Sequence, residues 1–352
     1  MSTPKEVQGR TRPYEVPPFS GLKGNAPAKT VSQESSHAAS ASIFGNRATA
    51  IRTRLLHGVK HFLPDYVFLL LSHRRRVGRL PHLKRPTTFN EIILNRCLHP
   101  DPVWSTLADK LAVREYVKDR VGEKYLVPLL AAPDVFTQEV FDALPASFVM
   151  KANHGCAFVK VVWDKSQVSF EQLRQLTDDW LSTNFYFASR ERHYRTIEPR
   201  IYFEKLLLDR SGKVPADFKI NLFQRVDGDP IVITGVVSDR FGSPRHDFYD
   251  TQWNRMDIVV GDYPLSAAPA PRLPNWGEVI GIASRLVEGL GYVRVDLYVF
   301  DDEIFFGELT FTPGAGVSPL SPERYDYEWG KLINEMPSPQ EARVTSHANE
   351  RG

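Results

Sequence analysis

Two neighbouring stretches decide the fold of this chain: Gly291-Tyr-Val-Arg-Val-Asp-Leu-Tyr298 and Phe306-Gly-Glu-Leu-Thr-Phe-Thr-Pro-Gly-Ala-Gly316. Both alternate apolar with polar residues, which predicts a hairpin of strands over 293–300 and 303–310 around a two-residue turn. A period of two places Arg294, Asp296 and Tyr298 on one strand face. Because Asp296 and Glu308 would lie on paired strands, we expect their carboxylates to meet on the same side.

Two facing carboxylates repel each other unless a positive charge lies between them. A hard divalent ion such as Mg²⁺ suits that gap, with phosphate oxygens completing its shell. The alternatives are that Asp296 and Glu308 are separate surface charges, or that Arg294 holds them as a pair. The turn over 313–316 favours a functional site, because it offers backbone N–H groups beside the carboxylates.

A second candidate cluster follows an apolar strand predicted over 148–151. Lys151 ends that strand, and burial of its charge requires an anionic partner such as a phosphate group. The alternative is a lysine that reaches solvent at the end of the strand. His154 and Gly155 follow in a loop, where His154 is either a general acid–base or a hydrogen-bonded loop histidine.

A third cluster is Leu107-Ala-Asp-Lys-Leu-Ala-Val-Arg114, in which Asp109 and Lys110 are expected to begin a helix with Asp109 as its cap. The strand predicted over 200–208 contains Glu204 and leads into a linker. The remaining apolar patterns predict helices over 89–97, 103–117, 170–181 and 276–290, a strand over 158–163, and a hairpin of 218–223 with 230–238.

Composition excludes several classes of protein. The 352 residues are 42% hydrophobic and 24% charged, as in ordinary globular proteins. The apolar run over 66–71 is far shorter than the ~20 residues of a membrane span, and no secretory signal is recognisable. With two cysteines, Cys97 and Cys156, the chain has no disulfide framework and no cysteine-based zinc site, which fits a cytoplasmic protein.

The charge is distributed unevenly. Residues 1–86 carry 15 Lys and Arg against 4 Asp and Glu, whereas residues 87–352 carry 29 against 38. Residues 1–50 are predicted to be a disordered leader. Residues 51–80 are predicted to be a basic amphipathic helical arm, which either packs on the body or touches anionic lipid at the inner face of the membrane through residues 51–79. The arm lacks regularly spaced aromatic residues, so nucleic acid is not an expected partner.

The order of these segments resembles the ATP-grasp superfamily, and within it the TupA-like branch of teichuronopeptide and surface-polysaccharide biosynthesis. The matching phrases are Pro86-Thr-Thr-Phe-Asn-Glu91, Leu107-Ala-Asp-Lys110, Lys151-x-Asn-His-Gly155, Val293-Arg-Val-Asp-Leu-Tyr298 and Gly307-Glu-Leu-Thr-Phe311. They cover about residues 80–335. The resemblance implies an α+β protein with the ATP-grasp fold, in which two α+β lobes hold ATP between them, preceded by a small N-terminal lobe and the disordered basic leader.

The resemblance also implies boundaries. The N-terminal lobe would span 81–145, the first ATP-grasp lobe 146–208, and the second lobe, with the metal site, 209–335. A polar tail would span 336–352. The implied cofactors are ATP and two Mg²⁺ ions.

The resemblance implies a role for each candidate residue. Phosphate contacts would come from Lys110, Lys151, Gly155 and Lys219. Glu204, Lys205 and Leu207 would line the adenine pocket, with Asp209 near the ribose. Asp296, Glu308 and Thr310 would hold the metal. Arg294, Gly314 and His154 would act on the reacting groups.

The implied reaction joins a carboxylate, from a sugar acid or peptide, to an amine or thiol through an acyl phosphate. Two departures from the family pattern stand out: Thr310 replaces a usual Asn, and the loop over 154–159 has one glycine. A sugar kinase using the same nucleotide site, or a nucleotide-binding protein without turnover, are the alternatives.

Overall fold

The computed structural model describes residues 62–225, 228–239 and 243–337. Its α-helices are α1 (Asp65–Val77), α2 (Phe89–Leu98), α3 (Val103–Ala108), α4 (Val113–Val121), α5 (Gln138–Ala143), α6 (Phe170–Leu181), α7 (Tyr186–Ser189), α8 (Trp276–Val287) and α9 (Arg324–Asn334). The predicted leader over 1–50 and nearly all of the predicted tail lie outside the described residues, as does the first part of the predicted arm.

Twelve strands in the described residues form three sheets. They are β1 (Leu129–Ala131), β2 (Phe148–Ala152), β3 (Val159–Val162), β4 (Ile201–Glu204), β5 (Asp217–Phe223), β6 (Ile231–Ser238), β7 (Arg245–Tyr249), β8 (Arg255–Met256), β9 (Val259–Val260), β10 (Arg294–Phe300), β11 (Glu303–Thr310) and β12 (Leu320–Ser321). The sheet orders are β1-β4-β2-β3, β11-β10-β5-β6-β7-β8, and β12-β9. All of the strand pairs are antiparallel.

Each large sheet has an apolar core on one face. The four-stranded sheet buries Phe148, Met150 and Phe203 against α5 and α6. The six-stranded sheet buries the alternate residues of β5 and β10 against α3, α4 and α8. Successive residues of a strand point to opposite sides, so the other face of the six-stranded sheet carries Lys219 and Asp296. At one end of that face, Phe223, Ile233 and Phe248 form a second apolar cluster with α2 and α9.

Residues 81–145 contribute to more than one apolar cluster. Leu83, Leu94 and Leu98 pack together with Leu69 of α1. Trp104, Leu107 and Val117 belong to the apolar core of the six-stranded sheet, while β1 is an edge strand of the four-stranded sheet. A further isolated bridge pairs Leu126 with Phe306 of β11. The lobe boundaries at 81–145, 146–208 and 209–335 remain predictions.

The local sequence signals account for most of the elements. The helix predicted over 170–181 is confirmed as α6, and Ser169 and Gln172 form a capping box at its start. Both predicted hairpins form, β5 with β6 and β10 with β11. Helix α1 begins directly after Pro64, where a proline is tolerated because the first helical N–H groups have no intrahelical partner.

Two predicted elements differ from the structure. The helix expected over 103–117 is split, because Asp109 is extended and its carboxylate accepts the N–H groups of Leu111 and Ala112 at 2.8 and 3.2 Å. The strand expected over 200–208 ends at Glu204. The N–H of Lys205 still donates to Pro128 O at 3.0 Å, but a proline has no N–H to return and the ladder stops there.

Candidate functional site

The polar face of the six-stranded sheet carries the first group of candidate residues. Asp296 lies directly opposite Glu308 across β10 and β11, and opposite Lys219 across β10 and β5. Asp296 is buried, with 3% of its surface exposed. The expectation that Asp296 and Glu308 lie on one side of the hairpin is confirmed. Gly307 makes the close pairing possible, because a Cβ atom there would lie 2.9 Å from the carbonyl oxygen of Asp296.

Positive side chains surround these carboxylates. Arg294 donates to both oxygens of Asp296, at 2.6 and 2.7 Å, and its guanidinium lies 3.6 Å from Glu308. Lys219 donates to Asp296 at 2.5 Å and to Asp217 at 2.8 Å. Arg294 therefore bridges the pair, as in one of the alternatives. Lys219, expected to bind the cofactor, is a second cation here and pairs with Asp296.

Lys110 connects this face to the loop that follows β2. Its ammonium group donates to Gly155 O at 2.8 Å and lies 3.1 Å from Oε2 of Glu308. Burial would raise the pKa of Glu308, but Lys110, Lys219 and Arg294 together hold it well below its ordinary range. Glu308 is therefore ionised at neutral pH, with a cation on each side.

The four-stranded sheet carries a second group of charges. The ammonium of Lys151 in β2 lies 2.6 Å from Oε2 of Glu204 in β4, and Arg114 of α4 donates to Oε1 of the same carboxylate at 3.1 Å. Arg114 also donates to Val127 O at 2.9 Å. A lysine at the end of an apolar strand thus has the anionic partner that its burial requires.

The loop over 153–158 is packed by aromatic rings. A Cβ atom on Gly155 would lie 2.6 Å from the ring of Phe185, so the loop needs glycine at this position. His154 is almost fully buried, and its ring stacks on Phe158 while Nε2 lies 3.1 Å from Thr183 O. Burial lowers the pKa of His154. This environment favours the loop-histidine alternative over the general acid–base.

The segment after β4 holds the three residues expected near adenine and ribose. Lys205 is exposed, whereas Leu207 is buried. Asp209 accepts the N–H groups of Ser211 and Lys213 at 2.8 and 3.0 Å through Oδ1. One carboxylate oxygen of Asp209 therefore closes a tight turn.

The turn over 313–316 follows directly on β11. Gly314 has a φ of 60°, and a Cβ atom there would overlap the hydroxyl of Ser318. Thr312, just before the turn, donates to the carboxylate of Glu191. Burial raises the pKa of Glu191, which adjoins Glu308 and Lys110. Glu191 thus anchors the start of the turn beside the carboxylate pair.

The oxygen donors of this face fit a hard cation. Two carboxylates lie side by side, and Thr310 Oγ1 donates to Glu308 at 3.3 Å while it accepts from Arg294 at 3.0 Å. Within the described ranges, no three His, Cys, Asp or Glu side chains form a metal-binding group. Asp296 and Glu308 would therefore hold Mg²⁺ together with oxygens from outside the protein, as this ion commonly does.

The structure thus brings the predicted residues together in two networks. The first consists of Lys110, Gly155, Lys219, Arg294, Asp296, Glu308 and Thr310, and the second of Lys151 with Glu204. In the described residues, no side-chain hydrogen bond or ion pair joins either network to His154, Lys205, Leu207, Asp209 or Gly314. Sequence reasoning missed Arg114 and Glu191. Arg114 closes the quoted phrase that contains Lys110, which was a signal, whereas nothing local distinguishes Glu191.

The two networks lie on two antiparallel sheets, and Lys110 contacts both the loop after β2 and Glu308 of β11. The model of the family described as TupA-like ATPgrasp matches residues 93–334, and the chain belongs to this family. It is thereby placed among ATP-grasp proteins, which bind ATP.

Similar solved structures are distant ATP-grasp enzymes. D-alanine–D-alanine ligase from Helicobacter pylori is 14% identical with a TM-score of 0.37, and the match covers 66% of this chain but 61% of that one. An ATP complex of the Bacillus anthracis ligase is 17% identical with a TM-score of 0.36, covering 66% and 63% of the two chains. N5-carboxyaminoimidazole ribonucleotide synthetase from Thermus thermophilus is 13% identical with a TM-score of 0.34, covering 68% and 50%. No curated protein matches the chain.

Proposed function

We propose that this protein is an ATP-dependent ligase that joins a carboxylate to an amine, or to a thiol, through an acyl phosphate. The observation that carries the proposal is the bridge made by Lys110, which contacts both the loop after β2 and the carboxylate of Glu308. A single cation therefore reaches both of the elements between which a nucleotide would lie. Membership of the ATP-grasp family supports ATP as that nucleotide.

Each part of the site has a role in this proposal. Lys110, Lys151 and Lys219 neutralise phosphate oxygens, and Glu204, Lys205 and Leu207 line the adenine pocket, with Asp209 near the ribose. Two Mg²⁺ ions held by Asp296 and Glu308 supply additional positive charge. Arg294 and the backbone N–H of Gly314 stabilise the negative charge that develops on the reacting group.

The reaction has two steps. An oxygen of the substrate carboxylate attacks the γ-phosphorus of ATP, so that ADP leaves and an acyl phosphate forms. The amine nitrogen then attacks the acyl carbon, phosphate leaves, and the nitrogen loses a proton to give the amide. Positioning and neutralisation of charge provide most of the rate enhancement in such a mechanism. We place the reaction in the assembly of bacterial surface polysaccharides, with an amino acid linked to a uronic acid.

Isothermal titration with ATP and Mg²⁺ tests the nucleotide site. We expect binding by the wild type and its loss in the double variant Asp296→Asn, Glu308→Gln. Glu288→Gln is the matched control, because that carboxylate is exposed and pairs with Arg120 at the surface. Absence of binding by the wild type, or unchanged binding by the double variant, contradicts the assignment.

Product analysis separates the ligase from a sugar kinase. A ligase gives ADP, phosphate and an amide, whereas a kinase gives ADP and a stable phosphosugar. The acid substrates to supply are glucuronate and galacturonate, each with a panel of amino acids.

A nucleotide-binding protein without turnover is favoured by one observation. Ala157 in the loop over 154–159 has a φ of 66°, a left-handed conformation in which a non-glycine residue is strained. If the loop is what limits turnover, replacing Ala157 and Phe158 by glycine creates ATPase activity in an otherwise inactive protein. Activity already present in the wild type contradicts this alternative.

We also propose that α1 contacts the inner face of the membrane. Tyr66 and Leu71 are 51% and 55% exposed, and Arg74, Arg75 and Arg76 lie in the last turn of the same helix. Leu69 and His73 are buried, so the helix packs on the body by its other side. No helix in the described ranges could span a membrane. Cosedimentation with anionic vesicles should fall in the variant Tyr66→Ser, Leu71→Ser, and equal cosedimentation counts against the contact.

A further inference from the structure

Arg96, near the end of α2, is a cation without an acidic partner among residues 62–225, 228–239 and 243–337. Its guanidinium lies 4.4 Å from the centroid of the Trp104 ring and 5.6 Å from that of Tyr292. In the part of the chain that the structure describes, no carboxylate forms an ion pair with it. Arg294, Lys110 and Lys219, the other cations of this region, each contact at least one carboxylate.

This arrangement is unfavourable for the protein by itself. Burial lowers the pKa of Arg96 to about 10, and its Nε atom is buried without a hydrogen-bond partner. A buried charge costs stability unless it is paired. The two aromatic rings offset part of that cost through cation–π contacts. The residue as a whole keeps a partly exposed surface.

Two aromatic side chains connect Arg96 to the strands that carry Asp296 and Glu308. Tyr292, beneath the guanidinium, donates to Asn221 Oδ1 at 2.7 Å, and Asn221 lies opposite Arg294 across β5 and β10. Trp104, on the other side, stacks on Phe311 at the end of β11, with ring centroids 5.0 Å apart. Arg96 therefore adjoins the end of the site at which Arg294 lies.

A second unpartnered nitrogen lies beside it. His193 is 2% exposed, and its Nδ1 has no hydrogen-bond partner. Its ring meets Trp104 edge-on at 6.2 Å. Burial and the charge of Arg96 lower its pKa to about 3, so the imidazole is neutral at physiological pH. His193 therefore adds a neutral, unpartnered nitrogen beside Arg96 and no counter-charge.

We propose that Arg96 binds a carboxylate group of the acid substrate, with its planar guanidinium as a two-pronged donor. The inference rests on the proposed ligase function and adds the residue that recognises the acid. A guanidinium matches the two oxygens of a carboxylate in geometry. In the proposed ligase the phosphates of ATP already have Lys110, Lys151 and Lys219 as cationic partners, which leaves Arg96 for the acid.

The first test uses stability. Arg96→Met removes the unpaired charge and keeps a side chain that packs well on aromatic rings. We expect this variant to unfold at the temperature of the wild type or above it. The matched control is Arg79→Met, which should unfold earlier because Arg79 contacts the buried acids Glu91 and Asp326 at 2.5 and 3.1 Å. If the unfolding temperature of Arg96→Met falls as far as that of the control, Arg96 has a structural role and the proposal is overturned.

The second test uses binding. Sodium glucuronate is the probe, glucose is the neutral control, and inorganic phosphate is the competing anion. We expect the wild type to bind glucuronate, Arg96→Met to lose at least tenfold in affinity, and both to bind ATP with Mg²⁺ equally. No binding of glucuronate by the wild type, equal binding by the variant, or loss of phosphate binding alone in the variant overturns the proposal. A wild type that binds glucuronate but no ATP contradicts the ligase and leaves the role of Arg96 standing.

Discussion

The ammonium nitrogen of Lys110 lies 3.1 Å from Oε2 of Glu308. The two residues come from the turn between α3 and α4 and from strand β11, on opposite sides of the chain's middle. Because the same ammonium donates to Gly155 O at 2.8 Å, it also reaches the loop that would cover a bound nucleotide. One side chain thus joins three distant segments at the site.

Replacement of Lys110 by methionine should weaken nucleotide binding. The variant Lys110→Met removes the cation that faces both Glu308 and the loop, and we expect the affinity for ATP with Mg²⁺ to fall at least tenfold, about 1.4 kcal/mol. Isothermal titration measures the loss. Lys118→Met is the control, since Lys118 is exposed on nearby α4 and carries the same charge. Equal affinities in the two variants would show that the position of Lys110 is unimportant.

Gly155 cannot accept a side chain without a shift of the loop. A Cβ atom there would lie 2.6 Å from Phe185 and 2.9 Å from Phe158, so Gly155→Ala should lower the free energy of unfolding by about 1–3 kcal/mol. It should also weaken ATP binding, because Gly155 O positions Lys110. Urea denaturation and titration measure the two effects.

Gly277→Ala is the matched control for this substitution. Gly277 lies in α8 with nothing within 4 Å of an added Cβ atom, and alanine is the better helix former by up to ~1 kcal/mol. We expect this variant to be as stable as the wild type or more so. A larger decrease in the free energy of unfolding in Gly277→Ala than in Gly155→Ala would refute the steric explanation.

Lys151 and Glu204 should prove energetically coupled. Their 2.6 Å contact is largely buried, with side-chain exposures of 16% and 7%. Removal of Lys151 takes away one of the two cations that contact Glu204, the other being Arg114, and removal of the Glu204 charge takes away the carboxylate that both contact. In a double-mutant cycle of Lys151→Met, Glu204→Gln and the double variant, we expect each single variant to be destabilised, with a coupling energy of about 1–3 kcal/mol. Additive losses in the free energy of unfolding would mean that the contact contributes nothing.

The stability of the protein should fall as the pH drops below 6.5, in part because of His246. The pKa of His246 is lowered from 6.5 to about 3. Burial is the largest cause, and the positive charges of Lys219 and Arg294 add to it. Asp217 and Asp247 oppose the shift. The unfolded chain takes up a proton near pH 6.5, whereas the folded protein does not. The stabilisation is therefore fully present above pH 6.5 and is lost toward pH 3, by up to about 1.4 kcal/mol per pH unit.

Replacement of His246 by glutamine tests this linkage. Glutamine stays uncharged over the whole range, so the difference in urea midpoint between about pH 7 and pH 4.5 should be smaller in His246→Gln than in the wild type. The other buried histidines, such as His193, leave some acid sensitivity in both proteins. An identical pH dependence in the two would rule out His246 as a contributor.

Local sequence was sufficient wherever one segment contains the whole signal. The alternation around Asp296 and the turn at Asp301-Asp302 predicted the β10–β11 hairpin, and with it the pairing of Asp296 with Glu308. The capping residues Ser169 and Gln172 likewise mark the start of α6. Local pattern failed at Asp109, which was expected to cap a helix but instead accepts the N–H groups of Leu111 and Ala112 in the turn before α4, a helix without a side-chain cap. It also failed after Glu204, where the proline before the neighbouring strand stops the ladder.

The sequence by itself determined the chemical types present at the site: two carboxylates on one face of a hairpin, a lysine at the end of an apolar strand, and a glycine in the loop after it. The tertiary structure alone decided which charge faces which. Arg114 reaches Glu204 and Lys219 reaches Asp296 only after the sheets have formed, because both contacts join residues far apart in the chain. Arg96 shows the same limit, because no sequence motif distinguishes it from a surface arginine. What distinguishes it is its position beside Trp104 and Tyr292 without a counter-charge among the described residues.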